Sequence, residues 1–378
     1  MENPFYITGI IPEPFFCDRQ KETEFMVRTL ENRANILLTS PRRMGKTQLI
    51  RHVFEQPSIK GNYHTFYTDI YPTTSLHEFV LFLSKEIYST LVPAGKSVLD
   101  RFLTGLHSLS GSFGYDPITG TPSFNISLGE IRSPELTLEE IFHFLEGADK
   151  PCIFAIDEFQ QISRYPDKNV EAMLRSHIQQ LGNCLFIYAG SDRHVLENMF
   201  NSAAKPFYNS VEQMHLDSIS KETYTAFAEN QFKRANRSIK PEAAALAYDI
   251  FEGHTYYVHN VLHNAFAYID SGKEVDEDDI RQTLNHILDE KGRSYALIMN
   301  QLNYQQKETL VAVAKEHWVQ GVTSVAFVKK HSLQSPSSVQ YAIRVLLDKQ
   351  LLTYVNEGRI KKYGLSDRFF DLWINREY

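Results

Sequence analysis

The sequence predicts an α/β protein: a parallel sheet flanked by helices, followed by an all-helical region and a C-terminal winged helix-turn-helix. Three observations carry this. The runs Cys152–Ile156 and Cys184–Ala189 are continuously apolar, the pattern of parallel strands buried on both faces. Strand-like and helical patterns alternate through the first half, whereas from about Asp217 to Ile298 only helical periodicity occurs. The last segment has three helical patterns and then two strand-like runs around the turn Asn356-Glu357-Gly358-Arg359.

Taken in order, Asn35–Thr39 reads as a strand, followed by a basic turn and helical spacing over Gln48–Phe54. His64–Ile70 is a second strand. The helix after it, Ser75–Leu91, puts Leu76, Phe79, Phe82, Leu83 and Ile87 on one face. Between Ser108 and Ser133, Phe113-Gly114-Tyr115 and Phe124–Leu128 flank a Pro/Gly turn, which predicts a β-hairpin insertion. Thr137–Glu146 is helical, and Ser220-Lys221-Glu222-Thr223 and Lys240-Pro241-Glu242 have the composition of helix starts. Helices are then expected over Tyr304–Glu316, Thr323–His331 and Pro336–Lys349, before the wing Leu351–Val355 and Ile360–Leu365. A chain of 378 residues has room for several cores. The expected division is 1–216 for the sheet domain, 217–300 for a helical lid and 301–378 for the winged helix.

The net charge of −7 argues against a protein that coats nucleic acid with its whole surface. Gly321–Tyr378 runs against that balance, with nine Lys or Arg and five Asp or Glu. Cys17, Cys152 and Cys184 lie far apart and suit reduced core thiols rather than bridges or metal ligands. No run of 18 uncharged apolar residues occurs and the N-terminus lacks a signal-peptide pattern, so a cytoplasmic protein without a membrane partner is expected.

The chemistry begins at Ser40-Pro41-Arg42-Arg43-Met44-Gly45-Lys46-Thr47, which matches Gly-x-x-x-x-Gly-Lys-Thr except that Ser40 replaces the first glycine. Between a strand and a helix, such a loop cradles phosphates on backbone N–H groups and the helix N-terminus. Lys46 is expected to reach the β and γ oxygens and Thr47 to ligate Mg2+, while at Gly45 a Cβ would block the close backbone approach. A second element, Ile153–Ile156, delivers Asp157 and Glu158 to a strand's C-terminal end, where α/β sheets bind ligands. Asp157 is then the residue of the Mg2+ shell and Glu158 the general base on the attacking water. Ser191, after the strand Leu185–Ala189, is either a γ-phosphate sensor or the cap of the next helix. Arg193 either neutralises transition-state charge or forms a surface ion pair.

Phe16–Glu22, the loop Ser40–Thr47, Ile156-Asp157-Glu158-Phe159-Gln160, Gly190-Ser191 and Gly253-His254-Thr255-Tyr256-Tyr257 together resemble the archaeal-type AAA ATPase family of archaea and bacteria. The resemblance spans nearly the whole chain. It implies a P-loop NTPase fold of the AAA+/ASCE type with a five-stranded parallel sheet, a helical lid and a winged helix, and it implies ATP and ADP as ligands. Asp18-Arg19 then match a Gly-Arg pair that packs beside adenine, and Gln48 follows the phosphate loop. Arg42 and Arg43 bind phosphates or pair with carboxylates of the lid or a partner. Thr255 stands where the family has a proline, and Asn209-Ser210 where it often has an arginine that acts on a neighbouring subunit.

Two readings of the winged helix stay open. In one, Ser337, Ser338, Gln340, Tyr341 and Arg344 enter a DNA groove while Arg359, Lys361 and Lys362 contact phosphates. In the other, the module packs on the ATPase or on a partner protein; a homo-oligomer of the chain is a further partner expectation. The function expected is Mg2+-dependent ATP hydrolysis that switches the lid and winged helix. The alternative is a nucleotide-gated binding module with little turnover, and a P-loop kinase or transferase would need an acceptor pocket.

Overall fold

The computed structural model describes residues 2–91, 113–115, 122–124, 131, 133–270, 272–357 and 360–378. They form two compact units, Ile10–Ser218 and Met1–Gly9 with Ile219–Tyr378. The first nine residues, expected within the sheet domain, thus belong to the helical unit.

In the first unit, α1 (Gln20–Glu31) precedes β1 (Ile36–Thr39), α2 (Lys46–Phe54), β2 (His64–Asp69) and α3 (Leu76–Leu91). Of the predicted hairpin, β3 (Phe113–Tyr115) and β4 (Pro122–Phe124) pair antiparallel. Of the expected second strand Phe124–Leu128 only Phe124 is among the described residues, and the turn at 116–121 and residues 125–130 fall outside them. Then come α4 (Pro134–Glu146), β5 (Cys152–Asp157), α5 (Val170–Ile178), β6 (Cys184–Gly190), α6 (Arg193–Asn201) and β7 (Glu212–His215). Among the described residues, five strands form one sheet in the order β2-β5-β6-β1-β7, all pairs parallel.

Alternation along the strands divides the core. Ile153 and Ala155 join Ile36, Leu38, Ile187 and Ala189 under α1 and α2. Phe154 and Ile156 face the other layer with Phe66, Phe186, Tyr188 and residues of α3 and α4. There Phe154 stacks on Phe66 with ring centroids 5.3 Å apart. With every residue of β5 buried, the strand's register and the position of Asp157 at its tip are fixed by packing on both sides.

The second unit contains α7 (Lys221–Arg234), β8 (Ser238–Ile239), α8 (Pro241–Ile250), α9 (Thr255–Tyr268), β9 (Glu274–Val275) and α10 (Glu277–Asn300). Ser220 caps α7 and Pro241 opens α8. The short parallel pair β8-β9 departs from the all-helical expectation. The winged-helix part continues with α11 (Tyr304–Glu316), β10 (Val319–Gln320), α12 (Val325–Lys330), α13 (Pro336–Asp348), β11 (Leu352–Glu357), β12 (Ile360–Leu365) and α14 (Arg368–Glu377). Its sheet has three strands rather than two, in the order β10-β12-β11, and α14 is a helix beyond those expected. The Tyr257 hydroxyl of α9 accepts a hydrogen bond from the Arg368 N–H of α14 at 3.0 Å, which ties the helical layer to the winged helix. Phe5 is fully buried in this unit, with ring centroids of Phe232 and His259 5.5 and 5.8 Å away. Asn3 Nδ2 and His263 Nδ1 fasten the same segment through His263 O and Phe5 O. All three cysteines are buried and unbridged. No helix among the described residues is long and apolar enough to cross a membrane.

Candidate functional site

The loop between β1 and α2 turns through left-handed backbone at Arg43 (φ 67°) and Gly45 (φ 89°). That φ, rather than crowding by the protein, dictates glycine at 45, since a Cβ built there meets no atom within 4 Å. Gly45 is the N-cap of α2 and no side chain caps the helix, so its leading N–H groups are suited to an anion. Ser40, in place of the first glycine, is buried, and its N–H donates to Gly190 O at 3.3 Å. The loop is thereby moored to β6.

Four groups converge on the Asp157 carboxylate. Lys46 Nζ and the Glu158 N–H (2.8 Å) donate to Oδ1, and Thr47 Oγ1 (3.1 Å) and the Tyr67 hydroxyl (2.7 Å) donate to Oδ2. Burial alone would raise the Asp157 pKa, but the Lys46 charge and the hydrogen bonds from Lys46, Tyr67 and the Glu158 N–H outweigh it and hold the carboxyl below its ordinary range. Thr47 and Asp157 thus offer a hydroxyl and a carboxylate side by side, the hard oxygen donors that suit Mg2+.

Glu158 follows in left-handed backbone (φ 57°). Its Oε2 accepts from Ser191 Oγ at 2.9 Å and from the Gln160 amide, while Oε1 lies 3.6 Å from Lys46 Nζ. Ser191 does not cap α6. Asp192 does, accepting from the Val195 N–H at 3.2 Å, which turns the Ser191 hydroxyl to Glu158. Gln160 crosses the end of β6 so closely that a Cβ at Gly190 would lie 2.0 Å from its Oε1.

The other expected site residues divide. Arg42 borders the cluster: its Nε is 3.5 Å from Ser191 Oγ and its guanidinium lies over the Tyr71 ring. Pro41 and Arg43 are exposed on the loop, and Met44 is buried beneath it. The Gln48 side chain accepts from the Ile11 N–H at 3.4 Å. Asp18 holds a left-handed φ of 56°, the conformation a glycine supplies at lower cost. Arg19 is buried, pairs with Glu22 at 2.7 Å and donates to Asp217 O at 2.6 Å. Arg193 forms an exposed ion pair with Glu197 at 2.6 Å along α6, the geometry of its surface reading. The Asn209 N–H donates to Phe200 O. In the winged helix Ser337, Gln340, Tyr341 and Arg344 are exposed, but Ser338 is engaged with Ser335 in the capping box of α13. Lys361 Nζ sits 3.5 Å over the Tyr354 ring and Lys362 is half-buried. Arg359 lies outside the described residues.

Three residues of the cluster carried no role in the sequence reading. Tyr67 reads as an ordinary strand aromatic and Gln160 as a polar residue after a turn. Asp69 pairs in register with Asp157, and burial first, then the charges of Asp157 and Glu158, raise its pKa. Asp69 had a legible signal as a second carboxylate at a strand's C-terminal end, and Gln160 closes the motif Ile156–Gln160 that carries the resemblance.

Residues 16–261 match a family model described as an ATPase domain predominantly from Archaea, and residues 293–376 one described as a probable winged helix domain. An uncharacterized ATP-binding protein of Methanocaldococcus jannaschii is 26% identical over 206 residues, 52% of this chain and 55% of that protein. The chain spans about half the length of this curated relative. Among solved structures, the Walker-type ATPase PABY2304 of Pyrococcus abyssi is similar with a TM-score of 0.63 and 17% identity, over 98% of this chain and 99% of that one. The ORC2 protein of Aeropyrum pernix, in ADPNP–ADP complexes, has a TM-score of 0.55 and 16% identity over 99% and 98%. The ORC1 protein of the same organism, in complex with DNA, has 0.53 and 13% over 98% and 94%. At these identities the structures establish the fold.

Proposed function

The chain belongs to the family of ATPase domains found predominantly in Archaea, and on that footing we propose that it binds ATP with Mg2+, hydrolyses it and uses the cycle to switch its helical unit. The observation that carries the proposal is the single hydrogen-bonded cluster of Lys46, Thr47, Asp157, Glu158 and Ser191 at the ends of three neighbouring strands. Lys46 and the N-terminus of α2 bind and orient the β and γ phosphates. Thr47 and Asp157 hold Mg2+, which when bound screens phosphate charge. Glu158 takes the proton of the attacking water, with Ser191 and Gln160 fixing its carboxylate. The exposed cations Arg344 and Lys361, the winged helix itself, and the likeness in fold to an ORC1 protein solved on DNA support duplex DNA as the partner.

A second reading, a nucleotide-gated module with little turnover, is favoured by specific observations. Arg193 is paired away, Asn209 stands where an activating arginine is expected, and Glu158 is held by two donors and a cation. ATP turnover with and without duplex DNA separates the two. Hydrolysis predicts native turnover that is lost in Glu158→Gln with nucleotide binding kept, and binding that is lost in Lys46→Ala. Native binding without turnover selects the second reading, and tight binding by Lys46→Ala overturns both.

A further inference from the structure

We propose that Tyr67 is a positioning residue for the metal end of this site, acting through Asp157 to set how tightly Mg2+ is held; the inference rests on the reading that Thr47 and Asp157 hold the ion. The Tyr67 hydroxyl donates to Asp157 Oδ2 at 2.7 Å and lies 3.3 Å from Thr47 Oγ1, which donates to the same oxygen at 3.1 Å. One phenol therefore reaches both residues assigned to the metal. Its own placement is constrained from three sides. β2 pairs with β5 so that Tyr67 stands opposite Ala155, its backbone N–H donates to Glu86 Oε1 at 3.1 Å, and the Arg51 guanidinium covers the ring at 5.3 Å.

A phenol in this position is a donor rather than a competing ligand. The neutral hydroxyl donates to Asp157 Oδ2 and brings no charge with which to compete for the ion. Its hydrogen bond occupies one lone pair of Oδ2 and fixes the rotation of the carboxylate, so that the other lone pair of that oxygen is aimed at the Thr47 hydroxyl, its partner in holding the ion. Groups that orient a metal's ligands in this way typically change affinity by about 10- to 100-fold when removed. Phenylalanine would keep the ring, the packing under Arg51 and the strand pairing, and would delete only that donor.

The test is Tyr67→Phe in the full chain, read as binding of a fluorescent ATP analogue across a Mg2+ titration with an EDTA baseline. Expected is a rise of about tenfold or more in the Mg2+ midpoint, unchanged affinity in EDTA, and no additional rise when the change is placed on Asp157→Asn. An unchanged or lowered midpoint overturns the inference. So does an equal loss in EDTA, which marks a structural role, or an additive effect in the double variant. If Tyr67→Phe does not fold, Tyr67→Leu, which also lacks the donor, is titrated against the same criteria. Native protein indifferent to Mg2+ would overturn the metal assignment itself, an outcome distinct from a Mg2+ response that Tyr67→Phe leaves untouched.

Discussion

Replacing Lys46 by alanine should destabilise the nucleotide-free protein as well as disable it, and the two effects can be measured apart. Lys46 and Asp157 are 7% and 4% exposed, and Glu158 lies 3.6 Å from the same ammonium. Removing one partner of a buried pair typically costs about 3–5 kcal/mol. Asp157 would keep Tyr67, Thr47 and the Glu158 N–H as donors, so about 3 kcal/mol, the low end of that range, is expected. The pH dependence gives the sharper signature. In the native protein the Asp157 pKa is depressed, so its contribution is fully present above the unfolded value of about 4 and is lost only as pH falls through the lower folded one. Without Lys46 the charge that opposes burial is gone, so the carboxyl pKa should rise, and once it passes the unfolded value falling pH relieves the buried charge. The deficit of Lys46→Ala should therefore narrow between about pH 8 and about pH 5. Urea unfolding without nucleotide at the two pH values reads it. A deficit below about 1 kcal/mol, or one independent of pH, would refute the reasoning.

Gly190→Ala would place a methyl 2.0 Å from Gln160 Oε1 and 2.8 Å from Leu196 Cδ1; a loss of about 1–3 kcal/mol in urea unfolding is expected, and native stability would show that Gln160 leaves its place freely. Arg193→Ala should change stability by less than about 1 kcal/mol and leave ATP turnover at the native level, whereas a loss on the order of 10³ in turnover would restore its catalytic reading. Burial pushes the Cys17 and Cys152 thiols up to about 12 and raises Cys184 as well, so a thiol reagent at neutral pH should label all three only after unfolding, and rapid native labelling would contradict the burial. Arg344→Ala and Lys361→Ala should each weaken duplex DNA binding regardless of sequence and reduce the salt slope by about 1, and binding unaffected by either would point to a protein partner for the winged helix.

The strands that carry Asp157 and Ser191 were legible because they are buried on both sides and so spell continuous apolar runs. The phosphate loop was legible because its chemistry is local in sequence. β7 was not: Glu212-Gln213-Met214-His215 is an edge strand, exposed over its first half, and its place beside β1 comes from backbone pairing that leaves no side-chain pattern. Helix α14 escaped because its apolar residues Phe369, Phe370, Trp373 and Ile374 follow the wing directly, with no loop to announce them. Tyr67 and Gln160 are site residues through contacts 90 residues away along the chain for one and against a neighbouring strand's last glycine for the other. The choice between Ser191 and Asp192 as helix cap was open because either side chain can cap, and it is decided by the turn that gives Asp192 the N-cap position.

The burial of Phe5 has a consequence for how the molecule is made. Asn3 bonds to a carbonyl 260 residues further on, so this segment completes a pocket whose walls, Phe232, His259 and Phe266, are synthesised much later than it is. Contacts of such separation form late, because the intervening chain must be ordered before closure is rewarded. During synthesis residues 3–5 remain without these partners while the unit Ile10–Ser218 is made. A protein truncated before Phe232 would keep residues 10–218 and an aromatic side chain with all three of these walls missing.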